Sequence, residues 1–181
     1  AIGVDSLFDI TTGDYNTAAG KFSGGNITTG SSNTLLGFEA AQSLNIGRNN
    51  IAIGHQALNS DDVGDRTVAV GYKALYSQNS DSDNESTKNT GVGYEAGYYN
   101  VTGTENTYFG YGAGGSGAGS VYSHSYNTAI GANSLISLTT GGYNTAVGQN
   151  SLDELTTGSY NVAIGNGALH AIDGSETENV A

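Results

Sequence analysis

The sequence predicts an all-β fold, a β-solenoid (β-roll) of about ten 17-residue coils, and three observations predict it. A motif, N-x-x-x-G, returns along the whole chain, most often at a spacing of 17 residues. Its middle is β-branched and apolar with a period of two, which is the pattern of a strand. No stretch carries a sustained i, i+3, i+4 apolar stripe, and 17 residues are too few for a helical repeat with two connections.

With the Asn of the motif as position zero, units start at Asn16, Asn33, Asn50, Thr67, Asn89, Asn106, Asn127, Asn144 and Asn161. The steps from Thr67 to Asn89 and from Asn106 to Asn127 are longer by five and four residues, so loops are expected at about 76–88 and 112–125. Both ends fall within a unit, so residues 1–181 read as a single array cut from a longer one. Position +1 is β-branched, from Thr17 to Val162, and position +3 is apolar, from Ile2 to Ile164; the +3 column is expected to point into the core. Position +2 is mostly Ala and position +4 is Gly throughout, so something packs closely there. Position +7 is Ala or Ser and +8 is mostly Leu or Gly, which predicts a second short strand, and Gly at +14 after Thr-Thr predicts a turn.

Stacking of coils about 4.8 Å apart makes each position a column along the rod. The Asn column, Asn16, Asn33, Asn50, Asn89, Asn106, Asn127, Asn144 and Asn161, is then a structural ladder whose amides can bond one to the next. Each unit has few apolar residues, several only Ala, so little area offsets the ordering of the coil. Association of identical chains about the long axis is therefore expected, with the small +2, +7 and +4 columns allowing close approach between chains.

Composition narrows the partners. Seventeen Asp and Glu against five Lys and Arg give a formal charge of −12, which repels nucleic acid and anionic membranes. No window approaches the ~20 apolar residues of a membrane helix, so no membrane insertion is expected. Cysteine is absent, which removes disulfides and thiolate metal sites.

The units NTAIGANSL, NTAVGQNSL and NVAIGNGAL between Asn127 and Leu169 resemble the N-S-x-A-I-G head repeats of trimeric autotransporter adhesins. They are still more similar to the TTG-x-x-NTAIG-x-x-AL arrays of phage tail fibres. That resemblance implies a left-handed roll in a homotrimer outside the cell, on a virion fibre or a bacterial surface. It also implies a structural shaft that projects a receptor-binding tip; the rival reading is an adhesive module that contacts host surface polysaccharide or a receptor through an aromatic stripe and the two inserted loops. The spacing departs from the adhesin pattern, which has about 14 residues per coil.

Binding candidates lie where columns break. Position +5 carries Phe38, His55, Tyr72, Tyr94 and Tyr111 in consecutive units, a possible glycan contact, although a stacked ladder that only stabilises the coil is the plainer reading. Asp81, Asp83, Asn84 and Glu85 offer hard oxygens without the order of a calcium loop, and a solvated acidic loop explains them more simply. His124 lies between Ser123 and Ser125, with no base-orienting carboxylate placed by the sequence. Asn26, Asn84 and Asn100 open glycosylation sequons of a kind that an Asn- and Thr-rich chain produces by chance. No catalytic residue, cofactor or metal site is expected, and an enzyme is the last of the classes considered. An ice-binding face built on the +1 Thr column is an outsider, because the column mixes in Ile51, Val68 and Val162 and is expected to share its side with the core.

Overall fold

The computed structural model describes residues 1–80, 82, 86–115, 122–172 and 174–181. The four acidic-loop candidates, Asp81, Asp83, Asn84 and Glu85, lie outside the described residues. The chain is a β-solenoid with, among the described residues, one parallel sheet of nine strands in sequence order, β1 to β9. The strands are β1 (Thr17–Ala19), β2 (Thr34–Leu36), β3 (Ile51–Ile53), β4 (Val68–Val70), β5 (Thr90–Val92), β6 (Thr107–Phe109), β7 (Thr128–Ile130), β8 (Thr145–Val147) and β9 (Val162–Ile164). Each pairs with the next position for position, Thr17 with Thr34 and Ala146 with Ala163 for example, so every column stacks on itself. Single bridges, Ile2 to Ala19 and Val162 to Val180, extend the pairing beyond both ends. The two longer steps do not disturb it: Val68 pairs with Thr90 and Thr107 with Thr128.

The buried side of the sheet is the reverse of the one the sequence suggests. Position +2 is buried, from Ala18 through Leu35, Ala52 and Tyr108 to Ala163, whereas +1 and +3 face outward. Phe109 is 56% and Ile164 64% exposed. The coil interior is narrow: +2 meets the +8 side chains from the opposite wall, so the interior column takes the small residue and the bulky β-branched ones turn outward. Interior volume is conserved by exchange between these two columns. Where +2 is Leu35, +8 is Gly24 or Ala41, and a Cβ on Gly24 would sit 2.6 Å from Leu35 Cδ1. Where +2 is Tyr108, +8 is Gly97 and Gly114, and a Cβ on either would fall 2.6 or 2.1 Å from the Tyr108 ring.

The second strand expected after Gly+4 is absent among the described residues. Turns replace it, with +6 and +8 left-handed: Gln56 and Leu58 have φ of 55° and 52°, and Asn150 and Leu152 have 54° and 52°. Leucine rarely adopts this conformation, but here it points the side chain inward while coil-to-coil bonds hold the turn, as Leu58 N donates to Ala74 O at 3.0 Å.

Position +4 requires glycine for reasons within the single chain. Gly148 has φ +132°, and a Cβ there would lie 2.3 Å from the carbonyl oxygen of Gly165, one coil on. The small +2 and +7 columns are likewise buried inside the chain, Ala57 and Ala74 among them. They therefore leave chain-to-chain approach to the outward +1 and +3 positions.

Candidate functional site

The Asn column holds the coils together through both ends of its amides. Asn127 Oδ1 accepts from the backbone N of Asn144 at 3.0 Å and from its Nδ2 at 3.1 Å. That same Nδ2 donates to Gly158 O at 2.9 Å. The pattern repeats from Asn144 to Asn161, where the corresponding bonds are 3.0 and 3.0 Å. A buried amide thus closes the turn at +14 and stitches adjacent coils, leaving little of its polarity unsatisfied. Thr67 interrupts the column, and its hydroxyl is hydrogen-bonded to that of Thr87. Asn89 Nδ2 donates to Gln78 Oε1 at 2.6 Å, so a residue from the longer step supplies the missing acceptor.

The +5 residues form a continuous stack. Ring centroids are 5.1 Å apart for Phe38 and His55, 5.3 Å for His55 and Tyr72, 4.9 Å for Tyr72 and Tyr94, and 5.1 Å for Tyr94 and Tyr111. This spacing is close to the rise of one coil, so rings on successive coils meet face to face. A ring face covered by its neighbour is closed to a sugar, and the stripe presents mainly ring edges and hydroxyls. A second stack, which the sequence reading missed, joins Tyr126, Tyr143 and Tyr160 at 4.6 and 4.9 Å. Its signal was available, since all three occupy the position just before the motif Asn. Beside the first stack, the Lys73 ammonium lies 5.5, 5.1 and 5.8 Å from the rings of Tyr72, Tyr76 and Tyr98.

The outward face of the sheet runs beside both stacks, the first following β2 to β6 and the second preceding β7 to β9. Its +1 and +3 residues include Ile51, Ile53, Val68, Val70, Ile130 and Val147, all intermediate or exposed. Thr holds six of the nine +1 positions and none at +3. The face is therefore a flat apolar strip edged with hydroxyls rather than a two-column hydroxyl lattice, although the objection that +1 shares its side with the core does not hold.

His124 is placed otherwise than its glycine-rich flank suggests. It is 1% exposed, and its Nδ1 is hydrogen-bonded to the Tyr108 hydroxyl at 2.8 Å. Its Nε2 has no partner, and burial lowers its pKa to about 4. The imidazole is neutral and sealed from solvent, so it offers no nucleophilic or acid–base site. Asp61 is also buried; desolvation raises its pKa against hydrogen bonds from the backbone of Ser80 and Gly64. Among the described residues, no group of three or more His, Asp or Glu side chains is arranged to hold a metal. Asn100 is buried, with its amide bonded to Gly103, which closes that sequon to a glycan.

Fold and surface together define a β-solenoid whose outward sheet face is apolar at +3, β-branched at +1 and flanked at successive levels by one or the other of two aromatic ladders. No family model matches the chain, and no curated protein or solved structure matches it.

Proposed function

We propose that the chain is a structural shaft segment of a fibre, a phage tail fibre or a cell-surface appendage, that projects a receptor-binding tip. In this reading it is a homotrimer of left-handed rolls outside the cell, with the outward sheet faces turned toward a common axis. One observation carries it: over nine strands in unbroken register the +1 column stays β-branched and the +3 column apolar, with every member intermediate or exposed. A continuous apolar strip of this kind on a soluble chain is a surface awaiting cover. The coil-to-coil Asn ladder supplies axial rigidity, and rigidity is what a spacer needs. The resemblance of the NTAIG units to fibre arrays points the same way.

Sedimentation equilibrium tests the association. Wild-type chains are expected at three times the monomer mass, and Ile53→Asp with Val147→Asp, both on the face and away from the interior, is expected to yield folded monomers. A wild-type protein that remains a folded monomer at micromolar concentration would refute the shaft reading. Retention of a host-surface polysaccharide by the segment, lost when Tyr72, Tyr94 and Tyr111 become Ser, would move the function from spacing to adhesion.

A further inference from the structure

We infer that the aromatic residues flanking the sheet face are seam residues between parallel copies of this chain in register, each ring packing on the opposite flank of the neighbouring copy at its own level. The inference rests on the self-association proposed above and adds its direction, its register and the contacts that fix them.

The observation is a rule of one ring per level. Each strand has an outward residue two before it, at −1, and one two after it, at +5. At β2 to β6 the ring follows the strand, as Phe38, His55, Tyr72, Tyr94 and Tyr111. The residues before those strands are Ser32, Asn49, Arg66, Lys88 and Glu105. At β7 to β9 the arrangement inverts: Tyr126, Tyr143 and Tyr160 precede the strand, and Ala132, Gln149 and Asn166 follow it. At β1, Tyr15 precedes and Lys21 follows. Every level has one ring and one non-aromatic partner, and no level has two or none.

Contacts within one chain engage part of the −1 column, Lys88 with Glu105 at 2.9 Å and Arg66 with Ser86 at 2.7 Å, but none of these joins a −1 residue to the +5 residue of its own level. The two flanks of a level are separated by the strand itself, and among the described residues no −1 ring stacks on a +5 ring. Each ladder is stabilised by its own column, so the ring on one flank does not by itself bar a ring on the other. The exclusion acquires one cause common to all nine levels if the −1 flank of one copy meets the +5 flank of another at the same height. One ring then fills the seam, two overfill it, and none leaves a gap.

Symmetry selects the arrangement. Rotation about an axis parallel to the solenoid brings the −1 flank of one copy against the +5 flank of the next, level with level. A two-fold axis across the solenoid would set like flanks together and pair different levels, so the rule would have no meaning. The pairs are chemically matched in the rotational arrangement. Arg66 comes opposite Tyr72, a cation against a ring, and the Lys88–Glu105 ion pair comes opposite Tyr94 and Tyr111. All six of these side chains are exposed in the single chain.

The chain has no Cys, so introduced cysteines are the only thiols. Asn49→Cys chains and His55→Cys chains, refolded together, are treated with a short bis-maleimide. The mixture is expected to give a covalent dimer on a denaturing gel, and Asn49→Cys mixed with Gln149→Cys, five levels away and separated by roughly 24 Å at ~4.8 Å per level, is expected to give none. Sedimentation of the same samples separates the two possible failures. Monomers throughout would refute the association itself; assembled chains that fail to link at the shared level, or that link across five levels, would refute the seam alone. A second variant, Gln149→Tyr, places two rings at the level of β8 on an exposed position. Its assembly is expected to weaken about tenfold or more with the solenoid's circular dichroism unchanged, and assembly as tight as wild type would overturn the one-ring rule.

Discussion

Replacing Tyr108 by Ala tests the exchange of volume between the +2 and +8 columns. Tyr108 is fully buried, and its ring occupies the space left by Gly97 and Gly114, in a column that otherwise includes Leu58, Leu75, Leu135 and Leu152. Removing the ring leaves a cavity that no neighbour can fill, because both glycines lack side chains. Truncation of a buried aromatic costs about 3–5 kcal/mol. Loss of the 2.8 Å bond to His124 leaves both imidazole nitrogens buried without partners, a further cost of about 1–3 kcal/mol. In a quasi-one-dimensional array the damage is local, so the coils carrying β5 to β7 should open first. The assay is urea unfolding followed by circular dichroism, with hydrogen exchange to locate the opening. Adding Gly97→Leu, Gly114→Leu and His124→Gly to Tyr108→Ala restores the rule of the other coils. Those leucines would take φ near the 64° and 75° of the glycines, close to the 49° that Leu75 already adopts. Most of the lost stability should return. If Tyr108→Ala stays within about 1 kcal/mol of wild type, or if the fourfold variant is no more stable than Tyr108→Ala, the volume-exchange argument is wrong.

Two further outcomes are expected. Burial holds the His124 pKa at about 4 against an ordinary 6.5, so the unfolded chain takes up a proton that the folded chain refuses as pH falls through that window. Stability should decline by about 3 kcal/mol between those values and no further below them, with the decline absent in His124→Gln; Asp61, whose pKa burial raises, acts in the opposite sense, its protonated form favouring the fold at low pH until that contribution is lost as pH rises. Replacing Asn144 by Ala removes the acceptor for Asn161 N and Nδ2 and the donor to Gly158 O, at 3.0, 3.0 and 2.9 Å, and should cost about 3 kcal/mol or more in thermal or urea unfolding.

The coil and its register were legible because most columns keep one chemical character and most steps keep the spacing of 17 residues. The side of the sheet was not, and the reason is physical. Period-two alternation identifies a strand, but when +1, +2 and +3 are all apolar it leaves open which side faces inward. The deciding quantity is room: Ala52 or Ala146 fits between the walls of a narrow coil, and Ile53 or Val147 does not. The left-handed turns were hidden for another reason, since Leu58 and Leu152 at positive φ oppose local preference and are held there by burial and coil-to-coil bonds. His124 was partly legible. It stands three residues before Asn127, in the +14 column of Gly141 and Gly158, which places it inside the turn. Tyr108 among alanines, with Gly97 and Gly114 among leucines, was the second half of that signal.

The interruptions show which feature of the rod is held constant. Column +11 is Ile27, Leu44, Leu138 and Leu155 in the regular coils, but Asp61, Gln78 and Asn100 around the break at Thr67 and the first longer step. Each polar replacement takes over a bond that the regular coil made otherwise: Asp61 Oδ1 accepts from Gly64 N, Gln78 Oε1 from Asn89 Nδ2, and Asn100 Oδ1 from Gly103 N. The interior is rebuilt around the altered steps at the expense of its apolar column, whereas Val68 still pairs with Thr90 and Val70 with Val92. A solenoid that needed only to fold could let its outer face drift where its core changes. This one preserves the outer face through both longer steps, and that unbroken register, rather than the buried polar cluster, is the feature on which the proposed association depends.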